Sequence, residues 1–182
     1  MSRVRPWVES RSEALLDCRV FGVERSCAQS PLDGSEHEFY RLRAPDWAQI
    51  VPITRNDEVV LVRQYRHGSQ DLALEIPAGQ VDPGESPAAA AARECLEETG
   101  YLAKDLKLLG DTNPNPALFA NRLRGYYALD VERKAEIANT VIEQTEVVLV
   151  PRDELAELLR SGGIDHALCV MTLWQFLDLD PR

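Results

Sequence analysis

The spacing of apolar and polar residues predicts a chain that mixes strands and helices without a regular repeat. Short runs rich in branched and aromatic residues, bounded by turn residues at 31–34 and 54–57, are typical of strands. The predicted strands are 15–23, 36–42, 48–53, 58–65, 72–76, 106–110, 122–131 and 143–150. Because strands and helices do not alternate as they do in βαβ units, we expect an α+β sandwich and not a doubly wound sheet.

Three helices are predicted from their end residues. For the first, Ser86 suits the N-cap, Pro87 suits the first turn and Gly100 suits the end, with an alanine-rich run between them. The other two are predicted over 151–160, where two glycines follow, and over 166–177.

Composition limits the class of protein and the partners we expect. The 182 residues are 45% hydrophobic and 27% charged, which is typical of a globular chain with one core and a small appendage. A net charge of −10 argues against a nonspecific nucleic-acid partner, and the apolar runs are too short for a membrane span. The four cysteines are scattered and no signal-peptide pattern opens the chain, so we expect a reducing, cytoplasmic setting.

The first helix carries three glutamates on one face. Glu94, Glu97 and Glu98 fall within about a third of the helix circumference, near the end where the helix dipole disfavours negative charge. The residues that we expect to face the core lie on the opposite side: Ala88, Ala89, Ala92, Cys95 and Leu96. Two interpretations are open, namely a solvated acidic face or a site for a hard divalent cation such as Mg²⁺ or Mn²⁺.

The segment from 79 to 101 holds fixed residues at the spacing Gly, five residues, Glu, seven residues, Arg-Glu, two residues, Glu-Glu, one residue, Gly. The residues at these positions are Gly79, Glu85, Arg93, Glu94, Glu97, Glu98 and Gly100. This pattern resembles the Nudix box. Cys95 and Tyr101 stand where the family has bulky aliphatic residues, and both are apolar enough to pack. The resemblance favours the cation site over the solvated face.

The resemblance to the Nudix family implies a fold and a domain organisation. The family fold is an α/β/α sandwich with a mixed sheet, which we expect over residues 46–182. Similar pyrophosphatases carry a small antiparallel sheet ahead of the catalytic domain and form homodimers. We therefore expect residues 1–45 to be an N-terminal β segment that contributes to a homodimer.

The same resemblance implies roles for the residues of the box. It implies four metal ligands, namely the backbone carbonyl of Ala78 and the carboxylates of Glu94, Glu97 and Glu98. Arg93 is expected to orient a box glutamate through a salt bridge. Glu85 either binds a metal through water or ties down the loop. We expect Mg²⁺ as the cation, with Mn²⁺ as the other choice.

Two strand motifs ahead of the box are similar to those of the ADP-ribose pyrophosphatase branch. These are Arg-Gln-Tyr-Arg at 63–66 and Leu-Glu-Ile-Pro-Ala-Gly at 74–79. A proline fifteen residues after the box, here Pro116, is also typical of that branch, although the branch more usually has Ser-Pro-Gly than the Asn-Pro-Ala found here.

Four residues of these motifs are expected to bind substrate: Arg63, Arg66, Glu75 and Pro116. Arg63 and Arg66 would reach the diphosphate or the base, unless alternation along the strand sends one of them to solvent. Glu75 would bind a nucleoside or ribose hydroxyl, and the alternative is an arginine partner within the sheet.

The general base is expected in the loop before the last long strand. Glu143 stands three residues before Glu146, as in the acidic-x-x-acidic arrangement of related pyrophosphatases. Glu143 is therefore the candidate for positioning the attacking water. Glu136 on the same loop is a rival, and Glu98 is a second one.

The sequence thus predicts a metal-dependent Nudix pyrophosphatase. The expected substrate is a nucleoside diphosphate sugar, ADP-ribose first, and the expected products are a nucleoside monophosphate and a sugar phosphate. Two alternatives are a Nudix hydrolase of another nucleotide, such as a dinucleoside polyphosphate or an oxidised nucleotide, and a non-catalytic sensor of nucleotide sugars. The intact box glutamates disfavour the sensor.

Overall fold

The computed structural model describes residues 4–179, which form two compact units. The first unit comprises the described chain up to Pro45 together with Asn113–Arg122, and the second comprises Asp46–Thr112 together with the described chain from Leu123. Sequence alone assigned Asn113–Arg122 to the catalytic domain, whereas here the segment packs with the first unit. A long-range backbone hydrogen bond joins the segment to this unit: the Leu42 N–H donates to the Leu118 carbonyl at 2.8 Å.

The first unit contains a three-stranded antiparallel sheet in the order β1-β2-β3. The strands are β1 (Val8–Asp17), β2 (Gly22–Gln29) and β3 (Glu36–Arg43). The single strand predicted over 15–23 is wrong, because this segment is a hairpin. Its turn is closed by the Cys18 N–H, which donates to the Phe21 carbonyl at 2.8 Å. The antiparallel N-terminal sheet itself agrees with the prediction.

The second unit is built on an eight-stranded mixed sheet. Its strands are β4 (Trp47–Thr54), β5 (Glu58–Arg66), β6 (Asp71–Glu75), β7 (Ala78–Gln80), β8 (Tyr101–Leu102), β9 (Lys107–Thr112), β10 (Leu123–Arg133) and β11 (Thr145–Pro151). The order is β11-β5-β4-β10-β8, with β6 beside β5, β7 beside β4 and β9 beside β10. The β4–β10 pairing is parallel and the other pairings are antiparallel. β7 and β8 were not predicted, because strands this short have no alternating pattern.

Three helices complete the second unit. They are α1 (Pro87–Thr99), α2 (Leu155–Arg160) and α3 (Ala167–Leu179). The Ser86 hydroxyl accepts a hydrogen bond from the Ala89 N–H at 3.2 Å, and Gly100 ends α1 with φ = 74°, as the end residues predicted. α2 starts later than expected, because Pro151 is the last residue of β11 and a 3₁₀ turn follows it.

Two apolar clusters lie on opposite faces of the large sheet, which confirms the predicted α+β sandwich. Alternate strand residues point to opposite faces, so Ile50 and Val60 contribute to the cluster that contains α1. Val51 and Leu61 contribute to the cluster that contains α2 and α3. Burying one such side chain stabilises the fold by roughly 1.5–3 kcal/mol. Within the described residues, no helix is both long enough and apolar enough to cross a membrane.

The core-facing side of α1 differs from the prediction. The buried residues of this helix are Ala90, Ala91, Cys95, Glu98 and Thr99. Ala89 is exposed, whereas Ala88, Ala92 and Leu96 are half-buried. The helix is therefore rotated relative to the expected arrangement, and two of its glutamates lie against the sheet instead of opposite it. The rotation is possible because the small side chains at 90 and 91 let α1 approach the sheet closely.

Candidate functional site

Helix α1 and the short strand β7 bring a group of carboxylates together. We call Glu94, Glu97 and Glu98 the carboxylate cluster. Glu97 is exposed, Glu94 is half-buried, and Glu98 is only 5% exposed. The cluster therefore runs from solvent into the cleft between α1 and β7.

Glu98 is the buried end of the cluster. The Ala78 N–H donates to Glu98 Oε2 at 3.0 Å, which joins the backbone of β7 to the helix. Burial, helped by the nearby charges of Glu94 and Glu143, raises the pKa of Glu98 to about 8, against the lowering effects of the Ala78 N–H and of Arg66. A carboxylate in this position favours a proton or a cation.

Gly79 allows Glu94 to lie close to β7. A Cβ atom at position 79 would overlap the Glu94 side chain, because the Glu94 carboxylate rests directly against this backbone. Burial raises the pKa of Glu94 too, opposed by the adjacent Arg93. The glycine that opens the motif is therefore required by a close approach of side chain and backbone.

Arg93 connects three glutamates and the loop after β7. Its guanidinium donates to both oxygens of Glu85 at 3.1 Å each, to Glu94 at 2.7 Å and to Glu97 at 3.1 Å. It also donates to the Gln80 carbonyl at 3.0 Å. These contacts occupy the guanidinium and fix the side chains of its partners.

Glu85 ties down the loop that leads into α1. Besides its two bonds with Arg93, its Oε2 accepts from the Asp82 N–H at 3.2 Å. The geometry thus matches the structural alternative for Glu85, in which the residue holds the loop.

The loop before β11 is fastened to the end of α1. The Ala138 N–H donates to the Glu97 carbonyl at 2.8 Å, and the Thr145 hydroxyl donates to the Glu98 carbonyl at 2.8 Å. Thr145 also accepts and donates hydrogen bonds with Asn139. Residues 139 and 145, which sequence reasoning did not single out, therefore hold both ends of this loop.

Glu143 lies within electrostatic range of the carboxylate cluster. Its charge raises the pKa values of Glu94 and Glu98. The strand expected to start at 143 starts at Thr145 instead, because hydrogen bonds between Thr140 and Glu143 form a turn there. Its rival Glu136 has a side chain that is 95% exposed and pairs with Arg133 at 3.2 Å.

Arg66 and Glu75 form a two-bond ion pair between β5 and β6. Both hydrogen bonds measure 2.7 Å, and the Glu75 side chain is 1% exposed. Although burial favours its neutral form, hydrogen bonds from Arg66 and His166 lower the pKa of Glu75 to about 2. Glu75 thus has the arginine partner that was the alternative to a substrate hydroxyl. The Arg66 side chain remains 41% exposed and interacts electrostatically with Glu98.

The structure does not bring Arg63 to the carboxylate cluster, and Pro116 is part of the other unit. Arg63 and Arg66 are three residues apart on β5, so alternation sends them to opposite faces. The Arg63 guanidinium pairs with Glu146 on β11 at 3.0 Å. Pro116 belongs to the first unit, not to the unit that holds the cluster.

His166 and Cys169 were not predicted as site residues, yet both contact Glu75. His166 Nδ1 lies 3.0 Å from Glu75 Oε2, and Cys169 Sγ lies 3.9 Å from the same oxygen. The His-x-x-Cys spacing at the start of α3 would have placed the pair on one helix face. No local signal connects them to Glu75, which is 91 residues earlier in the chain.

The carboxylate cluster has the chemistry of a hard divalent cation site. Its donors are oxygens on one rigid helix face, and Glu98 is a buried carboxylate that lacks a salt bridge to a basic side chain among the described contacts. Arg93 supplies one positive charge against several negative ones. The residues present therefore fit Mg²⁺ or Mn²⁺ and do not fit a thiolate-preferring ion.

Comparisons with known proteins agree with this geometry. The family model described as the NUDIX domain matches residues 44–169. The ADP compounds hydrolase NudE of Escherichia coli is 33% identical over 164 residues, which cover 89% of this chain and 87% of that protein. The ADP-ribose pyrophosphatase of Bacillus subtilis is 28% identical over 142 residues, or 76% of this chain and 75% of that protein.

A solved structure extends the similarity to the whole fold. The crystal structure of an ADP compounds hydrolase superposes with a TM-score of 0.86 at 26% sequence identity. The match covers 98% of this chain and 96% of that one.

Proposed function

Because the chain belongs to the Nudix family of hydrolases, we propose that it cleaves the diphosphate bond of a nucleoside diphosphate sugar, with ADP-ribose as the first candidate. The products would be a nucleoside monophosphate and a sugar phosphate. The observation that carries the proposal is the buried carboxylate of Glu98 beside the Ala78 backbone, in a cluster whose three carboxylates have Arg93 as their one salt-bridge partner among the described residues.

Nudix hydrolases generally use a divalent cation, and we propose Mg²⁺, with Mn²⁺ as the other choice. The carboxylates of Glu94, Glu97 and Glu98 and the carbonyl of Ala78 would hold it. When bound, the ion supplies charge neutralisation for the diphosphate and makes water more acidic. Without it, a diphosphate would be repelled by the cluster.

Three side chains of the protein have further roles in the proposed reaction: one orients the glutamates, one accepts a proton and one binds the diphosphate. Arg93 holds Glu94 and Glu97 in fixed orientations through its salt bridges. Glu143 accepts a proton from the attacking water, since it lies in a loop that is fastened next to the cluster. Arg66 binds an oxygen of the diphosphate with the exposed part of its guanidinium, while Glu75 fixes its orientation. Roles for Arg63 and Pro116 in substrate binding stay predictions.

We also propose that the protein is a homodimer that uses its first unit. Large apolar side chains of that unit are exposed: Val8, Leu15, Leu16, Phe39 and Tyr40. Exposed apolar groups gathered on a small sheet are typical of a partner surface. A reducing, cytoplasmic setting stays our prediction.

A substrate panel tests the proposed function. Purified protein would be incubated with ADP-ribose, other nucleoside diphosphate sugars, a dinucleoside polyphosphate and an oxidised nucleoside triphosphate. Each would be tested with Mg²⁺, with Mn²⁺ and with a chelator. We expect AMP and ribose phosphate from ADP-ribose only when a cation is present. Equal turnover in the chelator, or no turnover of any compound, would contradict the proposal.

A further inference from the structure

Three donor atoms of three different kinds meet at the start of α3. They are the carboxylate of Glu75 from β6, the imidazole of His166 just before α3 and the thiol of Cys169 in its first turn. Glu75 and Cys169 are buried, and His166 is half-buried. The group is distinct from the carboxylate cluster, since it includes nitrogen and sulfur donors.

The spacing of these atoms fits a tetrahedral ion. His166 Nδ1 lies 3.0 Å from Glu75 Oε2 and 3.3 Å from Cys169 Sγ, and the oxygen and sulfur are 3.9 Å apart. An ion about 2.3 Å from sulfur and about 2.0–2.2 Å from nitrogen and oxygen would hold such donors about 3.4–3.6 Å apart. Shifts of about 0.5 Å or less therefore convert this arrangement into a three-ligand site.

The charges around the three atoms are compatible with a cation. Arg66 takes one lone-pair site on each oxygen of the Glu75 carboxylate, so one site on Oε2 remains for an ion once the His166 proton has moved away. The negative charge of Glu75 lies close to the Cys169 thiol, with Sγ 3.9 Å from Oε2, and this charge favours a cation between them. It also offsets part of the repulsion from Arg66, which is paired with the same carboxylate.

We propose that Glu75, His166 and Cys169 bind a thiophilic divalent cation such as Zn²⁺ or Co²⁺, at a site separate from the carboxylate cluster. On binding, the S–H bond of Cys169 breaks, its proton goes to solvent and a sulfur–metal bond forms. The proton with which His166 Nδ1 bonds to Glu75 moves to Nε2 by exchange with solvent, so that the neutral imidazole gives the lone pair of Nδ1 to the ion. A water molecule completes the coordination from the exposed side of His166.

The mixture of donors separates this site from the carboxylate cluster. Thiolate and imidazole ligands select Zn²⁺ or Co²⁺, whereas all-oxygen sites suit Mg²⁺ and Mn²⁺. A signal that requires the sulfur of Cys169 therefore reports on this site. That signal needs no substrate. The metal-site proposal can therefore fail while the hydrolase proposal stands, and the hydrolase proposal can fail while the metal-site proposal stands.

The test is a titration of the reduced full-length protein with Co²⁺ in excess Mg²⁺, followed by absorption spectroscopy. We expect a thiolate-to-cobalt charge-transfer band in the near ultraviolet that saturates at one ion per chain and disappears when Zn²⁺ is added. Absence of this band in the wild-type protein would overturn the proposal.

Matched variants identify the sulfur. Cys169→Ser should lose the band, and His166→Ala should weaken cobalt binding by about tenfold or more. Cys27→Ser removes another buried thiol, in the first unit, and should leave the band unchanged. Circular dichroism checks that each variant is folded. If Cys169→Ser does not fold, the loss of cobalt binding in His166→Ala tests the site instead. A band that persists in Cys169→Ser or is unaffected by His166→Ala would also overturn the proposal.

Discussion

The Ala78 N–H donates to Glu98 Oε2 at 3.0 Å, and this hydrogen bond joins β7 to the buried end of the carboxylate cluster. This contact positions Glu98 without neutralising it, because the donor is a backbone amide and not a basic side chain. Glu98 therefore keeps its capacity to hold a cation.

Replacing Glu98 with glutamine should abolish most turnover and leave the fold intact. The loss should be about 10²-fold or more, since holding a cation against a diphosphate is worth several kcal/mol. Steady-state rates and a thermal unfolding curve check both parts. Glu157→Gln, which changes an exposed glutamate on α2, should be neutral. Normal turnover in Glu98→Gln would remove Glu98 from the site.

Alanine at Gly79 should displace Glu94 and lower activity by about 10²-fold, because the new Cβ takes the space of the carboxylate. The measurement is kcat at saturating Mg²⁺. Gly68→Ala is the control, because nothing lies near its added Cβ. If both variants keep full activity, the position of Glu94 against β7 has no role in catalysis.

Two glutamates of the loop before β11 should differ in their effect. Glu143→Gln should lower kcat by about 10²–10⁴-fold with little change in KM, since it removes the general base that we propose. Glu136→Gln changes an exposed side chain and should leave kcat unchanged. A larger effect from Glu136→Gln would transfer the role to that residue.

Substitutions of the two arginines in the Arg-Gln-Tyr-Arg run should differ in their effects on stability and on KM. Arg66→Ala should raise KM and destabilise the fold by about 3–5 kcal/mol, because it leaves the buried Glu75 carboxylate without its main partner. Arg63→Ala breaks only an exposed pair with Glu146 and should cost about 1 kcal/mol or less. Urea unfolding and KM values for both variants check this difference, and equal effects would contradict it.

The ion pair of Glu75 should make stability depend on pH. The folded-state pKa of about 2 lies below the ordinary value of 4.5, so the stabilisation is present above about pH 4.5 and is lost as pH falls towards 2. Its size is up to about 3 kcal/mol. Unfolding of wild type and Glu75→Gln in chelator, compared from pH 7 to pH 3, should show a difference that shrinks with acid. A constant difference would mean that the pKa of Glu75 is not lowered.

Local patterns were sufficient to predict the strand–helix mixture and the caps of α1, because turn and cap residues act within a few positions. They failed for residues 15–23, where a hairpin and one long strand share the same apolar composition. They also failed for the core-facing side of α1. Its glutamates lie inward because β7 offers the Ala78 amide and a glycine next to the helix, and a helical wheel contains no information about that neighbour.

The site was predictable as far as its residues share one motif. The helical spacing of Glu94, Glu97 and Glu98 brings them to one face, and the resemblance to the Nudix box added Arg93 and Glu85. The contacts of Glu75 with His166 and Cys169 were not predictable, since His166 and Cys169 come 91 and 94 residues after Glu75 in the chain. Such contacts depend on how the helix packs on the sheet.

The two anchored ends of the loop before β11 have a practical consequence. Ala138 and Thr145 are bonded to backbone carbonyls of α1, while the side chains of Val141 and Ile142 are 97% and 77% exposed. A fluorophore attached at position 141 or 142 would therefore lie next to Glu143 in the chain without altering the backbone contacts that anchor the loop. A change in its emission would then be a time-resolved signal for substrate binding. The native tryptophans would not have to be replaced.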